Sequence, residues 1–220
     1  RLTERTIRSE VGDDDIDFNI QRLGLWLKYN QKSEITLNEW EGLQVHKLPK
    51  FQGKLFVGIK YGHDGTNVSM SVAVKTNDDR VFVESLDCQP VRNGNAWILS
   101  FLKDADVQEV VIDGASGQNI LAGEMKDVNL KKPILPTVKE IIVANSGFEQ
   151  GLFKQSLCHK GQPSLKQVAT NVQKRNIGSN GGFGYQSQID DYDISLLDSV
   201  ILAHWACHNS KPVKKQKIRY

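Results

Sequence analysis

The apolar run Val110-Val111-Ile112 ends in Asp113, and the apolar stretch from Leu196 to Ala206 carries Asp198 near its start. Few features restrict a fold more than this pair. An ionised carboxylate just past a buried strand, or rooted in a buried helix, costs several kcal/mol unless a cation or a hydrogen-bond donor compensates. A fold that keeps both must bring positive charge to them, and a divalent metal is the obvious source.

With 220 residues, 39% of them hydrophobic, the chain can fill one domain and an extension. No run nears the roughly 18 to 20 apolar residues of a membrane span, and no basic start leads into an apolar leader, so a soluble, intracellular protein is expected. Cys88, Cys158 and Cys207 are odd in number, far apart and without a C-x-x-C pair. They indicate neither a disulfide frame nor a zinc site and read as buried thiols.

The net charge of +2 hides a segregation: residues 1–18 are acidic, residues 208–220 strongly basic, and the part between is balanced. Within that part, residues 151–189 hold Lys154, Lys160, Lys166, Lys174 and Arg175 and no acid, and Asp190, Asp191, Asp193 and Asp198 follow directly. Basic surface beside carboxylates suits a polyanion gripped by its phosphates; a solvated basic face is the plainer account of the same cations.

Patterning divides the chain into a charged lead-in with short helices over 1–50, one domain over 51–207, and a basic tail over 208–220. Opening on charge at Arg1, it is expected to be a piece of something larger. Ile20, Leu23, Trp26 and Leu27 fall on one helical stripe, and Thr36 precedes a second short helix with Trp40 and Leu43. Strands are expected over 54–61, 68–76 and 80–88, a helix over 94–102, and a fully apolar strand over 107–113. Beyond these come a helix over 117–125, a short fifth strand over 133–135, a helix over 137–157 interrupted near Gly147, a helix over 164–174, and a last helix ending near Cys207. The Gly-rich segment Gly178–Gly184 reads as a loop over a ligand or as a turn.

Three antiparallel strands, a helix, a buried strand, helices around a further strand and a closing helix is the element order of the ribonuclease-H architecture. On these residues the chain resembles the nuclease half of the large terminase subunit of tailed bacteriophages. Arg22-Leu23-Gly24-Leu25-Trp26 with Trp40 is similar to the segment that follows the ATPase half, and Leu55-Phe56-Val57-Gly58-Ile59 to the first nuclease strand. Val110–Gly114 is similar to the second acidic strand, and Asp198–Ala203 to a last acidic helix of the form D-[AS]-x-x-x-A.

The resemblance implies an α/β, ribonuclease-H-like mixed sheet of three antiparallel strands plus parallel strands, flanked by helices. It also implies a DNA endonuclease that cuts concatemeric viral DNA during packaging. Two divalent ions, Mg2+ or Mn2+, would be held by oxygen ligands, with Asp113 bridging them and Asp198 completing the site. The implied partners are double-stranded DNA, an upstream ATPase domain of the same protein, the small terminase subunit and the capsid portal, in the cytoplasm of a bacterial host and with no membrane.

One position departs from the pattern: the family carries an aspartate two residues after the glycine of its first strand, and here that residue is Lys60. Residues 60, 62 and 64 share a face if the strand stays regular, so Asp64 is expected to supply the missing carboxylate. Equally, the Lys60 ammonium sits where a metal would, pairs with Asp113 and leaves a weakened or inactive site. Asp193 is expected as an auxiliary ligand, and Lys154, Lys160, Lys166, Lys174 and Arg175 as DNA contacts.

Each residue also has a plainer role. Asp113-Gly114 and Asp64-Gly65 make turns, Ser195 to Asp198 fits a capping box, and acids before a helix favour its dipole. His63 and His159 read as surface residues. His204 lies about 120° around the helix from Asp198 and reads as packing or surface. A weakened DNA-binding or portal-docking module, and a nuclease of the resolvase or transposase type, stay open as alternatives.

Overall fold

Alternating Val, Ile and Phe broken by polar turns make a meander of β1 (Phe51–Tyr61), β2 (Asn67–Thr76) and β3 (Val81–Pro90), each antiparallel to the next. The chain then crosses through α2 (Ala96–Asp104) into β4 (Val107–Asp113), which pairs parallel with β1. The computed structural model describes residues 33–178, 181–189 and 192–210. The stripe Ile20 to Leu27, the acids Asp190 and Asp191, Ser179-Asn180 and the tail past Ser210 lie outside them.

The sheet order is β4-β1-β2-β3-β5, where β5 is the two-residue Leu157–Cys158, parallel to β3. Beyond β4 the expected strand at 133–135 shrinks to one residue. Ile134 donates its N–H to Val110 O at 2.8 Å and accepts from Ile112 N at 2.9 Å. Pro133 and Pro136 flank this bridge, and a residue without an N–H cannot extend a ladder. With these five strands and helices on both faces, the domain has a ribonuclease-H-like α/β fold.

β1 alternates between two cores. Leu55, Val57, Ile59 and Tyr61 pack with Ile98 and Leu102 of α2 and with Leu121 and Met125 of α3 (Gln118–Asp127). Phe56, with Ala73, Val83 and Val111 of the neighbouring strands, packs on the other face under α6 (Ser195–Asn209). Gly58 and Lys60 share that second face by the same alternation.

Helix α6 is apolar on nearly all sides because it lies between two layers. Behind it stand α4 (Val138–Phe153), α5 (Pro163–Ala169), and the short α1 (Leu37–Glu41), whose Thr36 and Glu39 form a capping box. Ile35, Trp40 and Leu43 are buried in the same cluster as Phe148 and Leu197, so residues 33–43 belong to this core.

Two helical expectations are corrected. α4 runs unbroken through Gly147, where an added Cβ would meet nothing within 4 Å, and it ends at Phe153 before Leu157 enters the sheet. The expected helix over 164–174 stops at Ala169; Val172–Ile177 (β6) turns back into Gly182–Ser187 (β7) as a separate hairpin. Gln173 to Asn176 are all exposed, so this strand lacks the apolar alternation that marks one in a sequence.

Candidate active site

Parallel pairing of β1 and β4 sets Lys60 directly opposite Asp113 at the carboxyl ends of both strands. By alternation both side chains stand on the α6 face. Gly114 follows at φ +117°, where a Cβ would lie 2.6 Å from Tyr61 O, so the turn after Asp113 admits only glycine.

α6 reaches this point because small residues line its contact with the sheet. A Cβ on Gly58 would lie 2.1 Å from Ser199 O. Ser69 bonds Ser195 at 2.7 Å, and Ser71 bonds Ser199 at 2.6 Å. The expected Ser195–Asp198 capping box does not form; the N-cap residue is Ile194, and the preceding Asp193 takes up Ser195. Asp193 accepts from Ser195 N at 2.8 Å and from Ser195 Oγ at 2.7 Å, which frees Asp198 to face the sheet from the first turn of the helix.

There Lys60 Nζ donates to Asp113 Oδ2 and lies 3.9 Å from Asp198 Oδ2. All three side chains are about four-fifths buried, at 19%, 22% and 23% exposure, so solvent screens the cluster only partly. Burial lifts the Asp198 carboxyl to about 6; Lys60 opposes the rise, while Asp113 and Asp193 add to it. Burial alone would lower the Lys60 ammonium, but the facing Asp198 and Asp113 outweigh it and hold Lys60 above its ordinary value. Near neutral pH Lys60 is therefore a fixed positive charge between two acids.

The other two acids stand apart from this pair. β1 ends at Tyr61, so the alternation that would carry 62 and 64 onto the Lys60 face stops short. Asp64 instead sits exposed in the following turn and accepts from Thr66 N at 2.9 Å and Thr66 Oγ1 at 2.7 Å, bonds that hold its carboxyl below the usual range. Asp193 lies against Gly62, where a Cβ would come within 2.9 Å of its Oδ2. Burial raises the Asp193 carboxyl, its bonds to Ser195 oppose the rise, and the charge of Asp64 adds to it.

Hard carboxylate oxygens suit Mg2+ or Mn2+ in kind. As arranged, however, the residues do not fit a pair of such ions. Lys60 already satisfies Asp113, Asp193 is engaged by Ser195 and Asp64 by its own turn. Among the described residues no group of three or more His, Cys, Asp or Glu converges.

Lys60, Asp113 and Asp198 open onto a cleft of about 190 Å³ walled by α4, α6 and the β6–β7 hairpin. Of the five expected DNA contacts, Arg175 alone lines it, and its charge acts on both Lys60 and Asp198. Lys160 donates to His46 O at 2.6 Å, Lys166 pairs with Glu41 at 3.4 Å, and Lys174 pairs with Glu149 at 2.5 Å and lies over the Phe183 ring. Lys154 is exposed at the C-terminal end of α4. Sequence reading missed the hairpin as the wall that carries Arg175, and it missed Asn145. Asn145 lines the cleft with its Oδ1 buried and without a partner among the described residues; an amide inside an apolar helix was the available signal.

The histidines are resolved by packing. His159 is buried, stacked on Trp40 at 4.3 Å with Nε2 2.9 Å from Trp40 O, so the surface reading is corrected. His204 is buried against Phe148, whereas His63 is exposed. Among the described residues no helix is long and apolar enough to cross a membrane.

No family profile and no curated protein matches the chain. Solved structures do. The fold is similar to the large terminase of bacteriophage HK97, with a TM-score of 0.60 at 13% identity over 78% of this chain and 43% of that one. It is also similar to the large terminase nuclease of thermophilic phage G20c, with a TM-score of 0.52 at 15% identity over 76% of this chain and 97% of that one. For the nuclease domain of the Thermus phage P74-26 large terminase the TM-score is 0.51 at 12% identity, over 81% of this chain and 98% of that one. The chain thus spans under half of the HK97 protein and nearly all of the isolated nuclease domains. The G20c nuclease has also been solved with bound magnesium.

Proposed function

We propose that this chain is a DNA-cutting domain of the large-terminase type, acting on concatemeric viral DNA in a bacterial host, and that Lys60 attenuates it. The observation that carries the reading is the convergence of Asp113 and Asp198 on one ammonium, at the carboxyl end of a sheet whose fold is shared with terminase nuclease domains. Arg175, exposed on β6 at the edge of the same cleft, offers a cation to the phosphate backbone. Contact of this kind without base readout binds duplex DNA regardless of sequence and weakens steeply with salt.

Burial lifts the Asp198 carboxyl to about 6. It is suited to accept a proton from a water attacking the phosphorus. Asp113 orients Lys60, and Asp193 fixes the start of the helix that carries Asp198. Asp64 contributes only through its charge on Asp193. An upstream ATPase domain, the small terminase subunit and the capsid portal belong to the same reading as partners of the whole protein.

The test is plasmid nicking in Mn2+ or Mg2+. The parent is expected to nick slowly, Asp113→Ala and Asp198→Ala to abolish nicking, Asp64→Ala to change it little, and Lys60→Asp to raise it. Loss of nicking in Asp64→Ala alone would overturn the assignment. The Lys60–Asp113 pair favours a second reading, a DNA-gripping module that does not cut; duplex binding with no nicking in either the parent or Lys60→Asp would establish it.

A further inference from the structure

We infer that Lys60 is the resident counter-ion of a cation site: its ammonium holds the place between Asp113 and Asp198, keeps divalent metal out while it stays, and leaves a metal-binding pair of carboxylates when removed. The inference deepens the proposed function and rests on the same two acids.

Three observations carry it. β1 lies between β2 and β4, so the root of Lys60 cannot shift, and its Nζ meets Asp113 straight across the register. The carboxylate of Asp198, carried on α6, lies 3.9 Å from the same nitrogen. The neighbouring acids are already engaged, Asp193 with Ser195 and Asp64 with Thr66. A divalent ion entering between Asp113 and Asp198 would stand beside a buried ammonium and be repelled. Without the ammonium, the two largely buried carboxylates would repel each other and draw in a cation.

The test titrates Mn2+ into the metal-stripped full chain, following free Mn2+ by electron paramagnetic resonance and stability by thermal melting. Lys60→Met keeps the buried stem and removes the charge. It is expected to bind Mn2+ roughly ten- to a hundredfold more tightly than the parent, the equivalent of one charged hydrogen bond. In chelator Lys60→Met melts below the parent and Mn2+ raises its melting point, whereas the parent is indifferent; adding Asp113→Asn removes both the binding and the rise. Lys60→Gln serves if Lys60→Met does not fold.

Equal Mn2+ affinity in parent and Lys60→Met, lost in both on Asp113→Asn, would overturn the inference, as would no gain of affinity in either Lys60 variant. Nicking is scored separately. Mn2+ uptake by Lys60→Met with no nicking in any variant would sink the proposed activity and leave this inference standing, and nicking by a parent that binds Mn2+ tightly would do the reverse.

Discussion

Gly58→Ala tests whether α6 lies close enough to the sheet to deliver Asp198. An alanine Cβ at this position would lie 2.1 Å from Ser199 O and 2.5 Å from Ala203 N, where ordinary contact begins at 3.4 Å. Both sides of the clash are backbone, so no side chain can turn away. The helix must retreat by about 1 Å, and overpacking of this kind costs about 3 kcal/mol, the top of its usual range. The same retreat stretches the Ser69–Ser195 and Ser71–Ser199 bonds, now 2.7 and 2.6 Å, at about 1 kcal/mol each. The total is a large share of the roughly 5 to 15 kcal/mol that holds a domain together. Urea unfolding measures it, with Gly147→Ala as the contrast. That glycine faces open space in α4, and the substitution should stabilise by about 0.5 to 1 kcal/mol. A Gly58→Ala chain within about 1 kcal/mol of the parent would refute the close approach and with it the positioning of Asp198.

Other outcomes follow from the same geometry. Burial holds the imidazoles of His159 and His204 at about 4, while in the unfolded chain they take up a proton near 6.5. Below pH 6.5 the unfolded state binds more protons, so stability is complete above that pH and falls as pH drops toward 4. By pH 5 the loss should reach about 2 kcal/mol for each histidine, and urea melts of His204→Gln should show a shallower fall. Arg175→Ala should weaken duplex binding and reduce its log-log salt slope by about 1; an unchanged slope would remove Arg175 from the DNA surface. Lys174→Ala should instead lower stability through its lost contacts with Glu149 and Phe183, leaving the slope unchanged.

The strand meander, β4 and α6 were legible because each has an apolar period that fits its burial and a turn or cap that ends it. Val107–Asp113 is correct to the residue since both of its faces are covered. Lys60 opposite Asp113 was legible as one of two outcomes, because alternation along β1 was plain but the residue at which the strand stops was not. That stop decided the geometry of Asp64: past Tyr61 the chain turns, and Thr66 takes both carboxylate oxygens. The β6–β7 hairpin was hidden for a different reason. Its outward strand is polar and exposed from Gln173 to Asn176, and the returning β7 is what packs on α4, where a Cβ on Gly182 would meet Ile142, so no period of two reached the sequence. The S-x-x-D spacing pointed to a capping box at Ser195, whereas Ser195 is held by Asp193 two residues before it and Ile194 takes the N-cap position.

What lies between Asp113 and Asp198 decides how this site works. Crystals of the parent soaked in Mn2+, measured at the manganese absorption edge, report on it directly. No anomalous peak is expected between the two carboxylates, with Lys60 Nζ in place there. A manganese ion bridging Asp113 and Asp198, with Lys60 turned out into the cleft, would contradict that expectation.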